Sequence, residues 1–168
     1  MQVAVVSDTH LHTVNRELEN LYERFMAGAD VLIHLGDMVG EEVNGFFCRH
    51  PRFYSVRGNC DFGGWAQEIP ATRTLTLDGF RIGAAHGWGP RSLVWKGVAD
   101  SFGPGYDLVF YGHTHKRDHR RIPEGPLVIN PGSLMAPRDG MAGLAIIHLN
   151  PGDLPEAIWI DAEPEPAV

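Results

Sequence analysis

The chain has 168 residues, 43% of them apolar and 21% charged, with a net charge of −7. This length suits one folded domain with a sizeable core, and we expect a single domain over residues 1–162. The acidic balance argues against broad binding to nucleic acid or anionic membranes, and no apolar run approaches the ~20 residues that a membrane helix needs. The proline- and acid-rich segment 163–168 is predicted to be a disordered tail.

The first residues, MQVAVVSDTH, have neither a basic start nor a cleavage-site pattern. Two cysteines outside any CxxC pair fit a reducing compartment, so we expect a cytoplasmic protein. A disulfide between Cys48 and Cys60 is the minor alternative.

Apolar runs alternate with helical patterns in the first part of the chain, and strand signals dominate the last part. The predicted strands cover 2–7, 31–35, 53–56, a hairpin at 73–86, 107–112, 118–122, 126–130, 142–149 and 156–160. The predicted helices cover 14–26, 41–49 and 91–102, and Thr13 is a plausible cap of the first. This order predicts an α/β protein with two packed sheets and helices on their outer faces.

Five of the apolar strands end in a short polar loop. The loops are Asp8-Thr9-His10, Gly36-Asp37, Gly58-Asn59-Cys60-Asp61, His86-Gly87 and Gly112-His113-Thr114-His115. Ligands of α/β sheets bind outside the carboxyl ends of the strands, so side-by-side strands would bring these loops to one edge. Seven groups would then face a common point: Asp8, His10, Asp37, Asn59, His86, His113 and His115.

Seven ligands are too many for one tetrahedral zinc site, but two ions that share one carboxylate would use them all. Such centres hold the ions about 3.5–4 Å apart and clamp the oxygens of a displacement at phosphorus. The mixture of nitrogen and oxygen ligands suits Mn²⁺, Fe or Zn²⁺ better than Ca²⁺. Each residue alone would also fit a turn, a cap or a surface histidine, so the prediction depends on the joint pattern.

The same five blocks resemble the signature blocks of the calcineurin-like metallophosphoesterases. RGNCD (57–61), INPGSL (129–134) and the short length are similar to the YfcE-like phosphodiesterase branch. The resemblance implies a four-layer αββα sandwich of two mixed sheets with helices on the outer faces. It also implies a metal-dependent phosphoesterase, most readily a phosphodiesterase, in which a metal-bridging hydroxide attacks phosphorus.

The resemblance further implies a role for each of the seven groups. One ion would bind Asp8, His10 and His115, the other Asn59, His86 and His113, with Asp37 bridging. Asp37, Asn59 and His113 would also be catalytic residues, and Cys60 and Asp61 are further catalytic candidates. Mn²⁺ is the first expectation for the metal, with Fe, Ni or Zn as alternatives.

Cys60 is the main departure from this pattern. In phosphomonoesterase relatives a histidine stands here, protonates the leaving group and is oriented by the next aspartate, which is Asp61 in this chain. We interpret Cys60 first as a small residue that fits its loop and second as a weak acid. A thiol with a pKa of about 8.5 is a poorer general acid than an imidazole near about 6.5, which favours phosphodiesters over alkyl monoesters.

Further side chains are predicted to line the substrate pocket: His12, Arg57, Trp88, Ser133 and Arg138. Trp88 would stack on an aromatic leaving group or simply pack in its loop. The arginines would steer phosphate or lie on the surface. Ser133, within NPGS (130–133), would lie near the site or belong to a plain turn. His34 is predicted to be a core residue or to support the ligands from behind.

Three alternatives stay open. The chain would be a phosphomonoesterase or a nucleotide pyrophosphatase of the same superfamily, or a non-catalytic scaffold like the retromer subunit, whose metal site is degraded. Retention of all seven candidate ligands disfavours the scaffold. The expected partner is a small phosphorylated substrate, and the resemblance also suggests a homo-oligomer.

Overall fold

The computed structural model describes residues 1–162, and the predicted tail at 163–168 lies outside the described residues. Ten strands are described: β1 (Gln2–Val6), β2 (Val31–His34), β3 (Phe53–Ser55), β4 (Thr72–Leu77), β5 (Phe80–Ala85), β6 (Leu108–Tyr111), β7 (Arg117–Arg121), β8 (Leu127–Pro131), β9 (Gly143–His148) and β10 (Glu156–Asp161). The α-helices are α1 (Arg16–Leu21), α2 (Glu41–Phe47), α3 (Gly64–Gln67) and α4 (Val94–Phe102). Within residues 1–162, none of the helices is both long and apolar enough to cross a membrane.

The strands form two mixed sheets of five strands each. The first sheet has the order β10-β9-β1-β2-β3, in which β1, β2 and β3 are parallel and β9 and β10 are antiparallel additions. The second has the order β4-β5-β6-β8-β7, with β5, β6 and β8 parallel and both edge strands antiparallel.

Strand alternation explains why the sheets stack in the middle of four layers. In β1, Val3 and Val5 join the core between the two sheets, whereas Ala4 and Val6 join the core that includes residues of α1 and α2. A third core packs α4 on the outer face of the second sheet. Both faces of each central strand are buried, which is why these strands read as continuous apolar runs. The predicted αββα sandwich is confirmed.

The first helix differs from its prediction at both ends. Asn15, not Thr13, caps α1, because the Asn15 Oδ1 atom accepts a hydrogen bond from the Leu18 amide at 2.8 Å. After Leu21 the chain widens into a π-helical turn, Tyr22–Met26, closed by a hydrogen bond from the Ala27 amide to the Tyr22 carbonyl. The four-residue helix α3 was not predicted, because one turn is too short to show a helical period.

The loops after the parallel strands of both sheets meet at one edge of the sandwich. Hydrogen bonds join them across the sheets: the His113 amide donates to Asp8 Oδ2 at 3.0 Å, and His86 Nδ1 donates to the Leu35 carbonyl at 2.7 Å. The convergence expected from the strand order therefore occurs, and it involves strands of both sheets.

Candidate metal centre

The polypeptide backbone is strained at this edge. Five of the seven predicted groups have φ between +51° and +67°: Asp8, His10, Asp37, His113 and His115. This left-handed region is sparsely populated by residues other than glycine, although Asn, Asp and His tolerate it best. Such strain persists only where packing enforces it, and it concentrates at functional sites. Hydrophobic periodicity carries no signal for it.

The first group of side chains gathers around a buried carboxylate. Asp8 Oδ1 lies 3.1 Å from His115 Nε2 and 3.8 Å from His10 Nε2, and the two imidazole nitrogens are 3.1 Å apart. His115 Nδ1 donates to the Ala136 carbonyl at 2.6 Å, so its Nε2 lone pair faces the carboxylate. Asp8 Oδ1 is fully buried and has no aligned hydrogen-bond partner among the described residues. A cation bound at this oxygen would compensate for the missing hydrogen bond.

The second group lies beside the first and is more open to solvent. Asn59 Oδ1 is 2.9 Å from His113 Nδ1 and 3.1 Å from His86 Nε2. His86 Nδ1 donates a hydrogen bond to the Leu35 carbonyl, and the Asn59 amide nitrogen donates to Cys60 Sγ at 3.2 Å. The remaining lone pairs of His86 and Asn59 therefore converge on one point. Histidines that bind metals have their other ring nitrogen fixed in this way.

Asp37 stands between the two groups. Its Oδ2 atom is 3.5 Å from His10 Nε2 and 3.4 Å from His86 Nε2, while Oδ1 accepts a hydrogen bond from the Cys60 amide at 2.7 Å. The carboxylate is therefore fixed through one oxygen and presents the other to both groups.

Charges in the centre shift the pKa values of its members in opposite directions. Burial would raise the pKa of Asp8, but the imidazoles of His10 and His115 lower it far below its ordinary value. Burial would lower the pKa values of His86 and His115, but the carboxylates of Asp37 and Asp8 raise them. The carboxylates thus stay ionised and attract cations, and divalent ions would replace the protons on the imidazoles. The residues fit such ions by atom type, geometry and charge.

Asp61 has a different role from the predicted one. Its Oδ2 accepts hydrogen bonds from the amides of Asp37 at 2.9 Å and Gly58 at 2.7 Å, and its Oδ1 accepts from the Val39 amide at 2.9 Å. Asp61 makes no hydrogen bond to the Cys60 thiol. This corrects the predicted orienting role, since the carboxylate holds the backbone of two ligand loops together instead.

Cys60 is partly buried and contacts two of the candidate ligands. Its amide fixes Asp37, and its Sγ accepts from Asn59. Burial, followed by the charge of Asp37, raises the pKa of the thiol to about 11, so it stays protonated at neutral pH. Cys48 and Cys60 are both free, which rules out the disulfide alternative.

The predicted pocket residues separate into exposed and buried ones. Trp88 is 48% exposed, and His12, Arg57 and Arg138 are exposed. Ser133, in contrast, is fully buried: its hydroxyl donates to the Asp8 carbonyl at 2.7 Å and accepts from the Ala136 amide. The prediction that Ser133 lines the pocket is wrong, because the side chain holds the Asp8 loop and has no free surface.

Sequence reasoning missed an exposed aromatic side chain at the rim. Phe62 is 74% exposed and lines a cleft of ≈ 330 Å³ together with Arg57, Gly58 and Asn59. Its position directly after GNCD was the only available signal. The Phe62 ring therefore provides an exposed aromatic surface in the cleft that Asn59 also lines.

His34 links two ligand loops from inside the protein. Its Nδ1 accepts from the Gly36 amide at 3.1 Å, so its Nε2 proton faces Thr9 Oγ1 at 2.7 Å. Thr9 and Gly36 adjoin Asp8, His10 and Asp37 in the chain. The expected supporting position of His34 agrees with these contacts.

Acid should destabilise the protein through His34. Complete burial lowers the pKa of His34 from 6.5 to about 4, so between these pH values the unfolded chain binds more protons than the folded one. The free energy of unfolding should therefore fall as the pH drops from 6.5 to 4, by about 3 kcal/mol from this group. Urea denaturation of metal-free wild-type and His34→Gln protein would measure it. The stability difference between the two should shrink towards pH 4, and a constant difference would contradict the prediction.

Comparison with known proteins agrees with the geometry. The family profile described as the Calcineurin-like phosphoesterase superfamily domain matches residues 1–152. A probable metallophosphoesterase of Bacillus subtilis is 32% identical over 143 residues, covering 82% of this chain and 78% of the relative. A phosphodiesterase of Methanocaldococcus jannaschii is 26% identical over 160 residues, covering 88% and 92%.

Solved structures share the fold. An archaeal phosphodiesterase superimposes with a TM-score of 0.71 at 23% identity, covering 95% of this chain and 100% of that one. A single mutant of Vps29 from Entamoeba histolytica superimposes with a TM-score of 0.72 at 19% identity, covering 96% and 99%. At these identities the likeness establishes the architecture alone.

Proposed function

We propose that this chain is a phosphodiesterase dependent on two divalent ions. The premise is that the chain belongs to the calcineurin-like phosphoesterase superfamily and hydrolyses phosphoester bonds. One ion would be held by Asp8, His10 and His115. The other would be held by Asn59, His86 and His113, with Asp37 shared, and Mn²⁺ is the first candidate. The position of Asp37 Oδ2, within 3.5 Å of an imidazole nitrogen of each group, carries the proposal.

Ions bound here would supply activated water and neutralise charge that develops on the phosphoryl oxygens. The protein itself fixes the orientation and the tautomers of the ligand side chains. Backbone carbonyls fix the tautomers of His86 and His115, and the Cys60 amide fixes Asp37. Asn59 is exposed and His113 half-buried, which leaves a side on which a phosphate ester would approach.

The preference for diesters follows from the side chain beside Asn59. A thiol is a weak proton donor compared with an imidazole, so leaving groups that need little protonation should react best. The name of the Methanocaldococcus jannaschii relative, a phosphodiesterase, supports the same substrate class.

The test compares bis-p-nitrophenyl phosphate with p-nitrophenyl phosphate, using metal-stripped protein with and without added Mn²⁺. We expect Mn²⁺-dependent hydrolysis with at least about a tenfold higher kcat/KM for the diester. Preference for the monoester would overturn the diester assignment. If the folded protein hydrolyses neither substrate with Mn²⁺, Fe²⁺, Ni²⁺ or Zn²⁺ added, the proposal of a metal-dependent reaction is overturned and the non-catalytic scaffold is favoured.

Replacement of Cys60 by histidine tests the reason for the preference. Cys60→His should raise kcat/KM for an alkyl monoester such as glycerol 2-phosphate by roughly tenfold, because the imidazole protonates a poor leaving group better than a thiol does. Cys60→Ser serves as the matched control, since serine keeps the size without adding an effective acid. Equal rates for Cys60→His and Cys60→Ser would show that leaving-group protonation is not the reason.

A further inference from the structure

A basic pocket lies on the outer face of the second sheet, between the start of α4 and β7. It has a volume of ≈ 160 Å³, and its walls include four cations, Arg91, Lys116, Arg117 and Arg120. These are four of the 14 Lys and Arg residues of a chain with a net charge of −7. A concentration of positive charge against the overall balance indicates an anionic ligand.

Only part of this charge is neutralised by the protein. Asp118, the acid of the pocket, accepts hydrogen bonds from Arg120 Nε and from the Tyr111 hydroxyl, both at 2.6 Å. Arg117 pairs with Asp161 at 2.6 Å. Arg91 and Lys116 form no ion pair within residues 1–162, so the pocket keeps an excess of two positive charges.

Arg117 contributes no free donor to the pocket. Its guanidinium lies on the other face of β7, where it binds Asp161 and the carbonyls of Ala142 and Ile160. Arg91, Lys116 and Arg120 are therefore the cations that a ligand in the pocket would meet. Arg120 stacks its guanidinium over the Trp95 ring at 4.8 Å, which adds a planar surface to the wall.

The pocket adjoins the candidate metal centre. Thr114, which lies in the pocket wall, stands between His113 and His115 in the chain. Tyr111, another residue of the wall, is the last residue of β6, and the loop that follows it carries His113 and His115. A ligand group in the pocket would therefore lie beside a phosphate ester at His113.

We propose that this pocket binds a second phosphate group of the substrate, so that the substrate is a phosphodiester that also carries a terminal phosphate. Guanidinium groups match phosphate in charge and in planar, two-pronged geometry. The inference rests on the proposed phosphodiesterase function and narrows its substrate class.

Matched dinucleotides test the assignment. The kcat/KM of the Mn²⁺-loaded protein would be measured for dTpdT and for its 5′- and 3′-phosphorylated forms. We expect at least one phosphorylated form to be preferred by about tenfold or more, as a charge-assisted contact warrants. In the double variant Arg91→Gln, Lys116→Gln this preference should fall at least tenfold. Arg24→Gln, an exposed arginine on the π-helical turn, is the matched control and should keep the preference.

A binding measurement separates the two proposals. Isothermal titration of metal-free protein with thymidine 3′,5′-bisphosphate should show binding that weakens about tenfold in the double variant. Loss of hydrolysis with every metal would overturn the proposed function, while this titration would still test the pocket. Equal rates for the three dinucleotides, or binding and preference unchanged in the double variant, would overturn the second-phosphate site.

Discussion

Replacement of Asp37 by asparagine is expected to reduce the Mn²⁺-dependent kcat/KM for bis-p-nitrophenyl phosphate by about 10³-fold or more. This corresponds to about 4 kcal/mol of transition-state stabilisation, within the several kcal/mol that metal-ion catalysis supplies. The asparagine keeps an oxygen for the Cys60 amide, but it places no negative charge between His10 and His86. The bound Mn²⁺ should also fall from two ions to one or none, measured by elemental analysis after gel filtration.

The control for this variant is Asp100→Asn. Asp100 is an exposed acid on α4 that pairs with Lys96, so its replacement should change neither activity nor metal content measurably. An Asp37→Asn protein that folds, binds two Mn²⁺ and stays within tenfold of wild-type activity would contradict the shared-ligand assignment.

Replacement of Asp61 by asparagine is expected to destabilise the protein by about 2–5 kcal/mol. The native carboxylate accepts from the amides of Asp37, Gly58 and Val39, and Asp61 is only 5% exposed. Asparagine offers one oxygen and points its own N–H groups at the remaining donors, so at least one buried backbone amide loses its partner. Displacement of Asp37 should lower kcat/KM by about 10–100-fold as well.

Urea denaturation of the metal-free protein would measure this loss, and Asp139→Asn provides the comparison. Asp139 also accepts from two backbone amides, those of Arg117 and Met141, but it lies at the exposed surface. Water replaces the lost acceptor there, so that variant should lose less than about 1 kcal/mol. Similar losses for the two variants would show that burial of the Asp61 contacts does not decide their contribution.

Glycine, aspartate and histidine follow the apolar strands in the sequence. These residues were sufficient to predict which loops would meet. Parallel strands present their carboxyl ends at one edge, and continuous apolar runs such as 2–6 mark strands buried on both faces. Local pattern therefore predicted the sandwich and the candidate ligands together.

The roles of Asp61 and Ser133 could not be predicted in this way. Each is fixed by hydrogen bonds to backbone atoms of segments far away in the chain, such as Ser133 to the Asp8 carbonyl, 125 residues earlier. No side-chain pattern encodes which distant amide or carbonyl will be adjacent. The cap of α1 is a different case, because the contact is local: Asn15 Oδ1 accepts from the Leu18 amide. Thr13 and Asn15 are both favoured cap residues, so residue type alone did not distinguish them.

The sequence by itself determined where most of the strands lie, which of them are buried and which side chains could bind a metal, because residue type and spacing report burial and chemistry directly. Only the tertiary structure decided how these side chains are held. The positive φ angles at Asp8, His10 and Asp37, and the excess charge of the pocket beside Thr114, arise from contacts between separate segments. Such contacts depend on the packing of two sheets against each other, which the linear pattern does not specify.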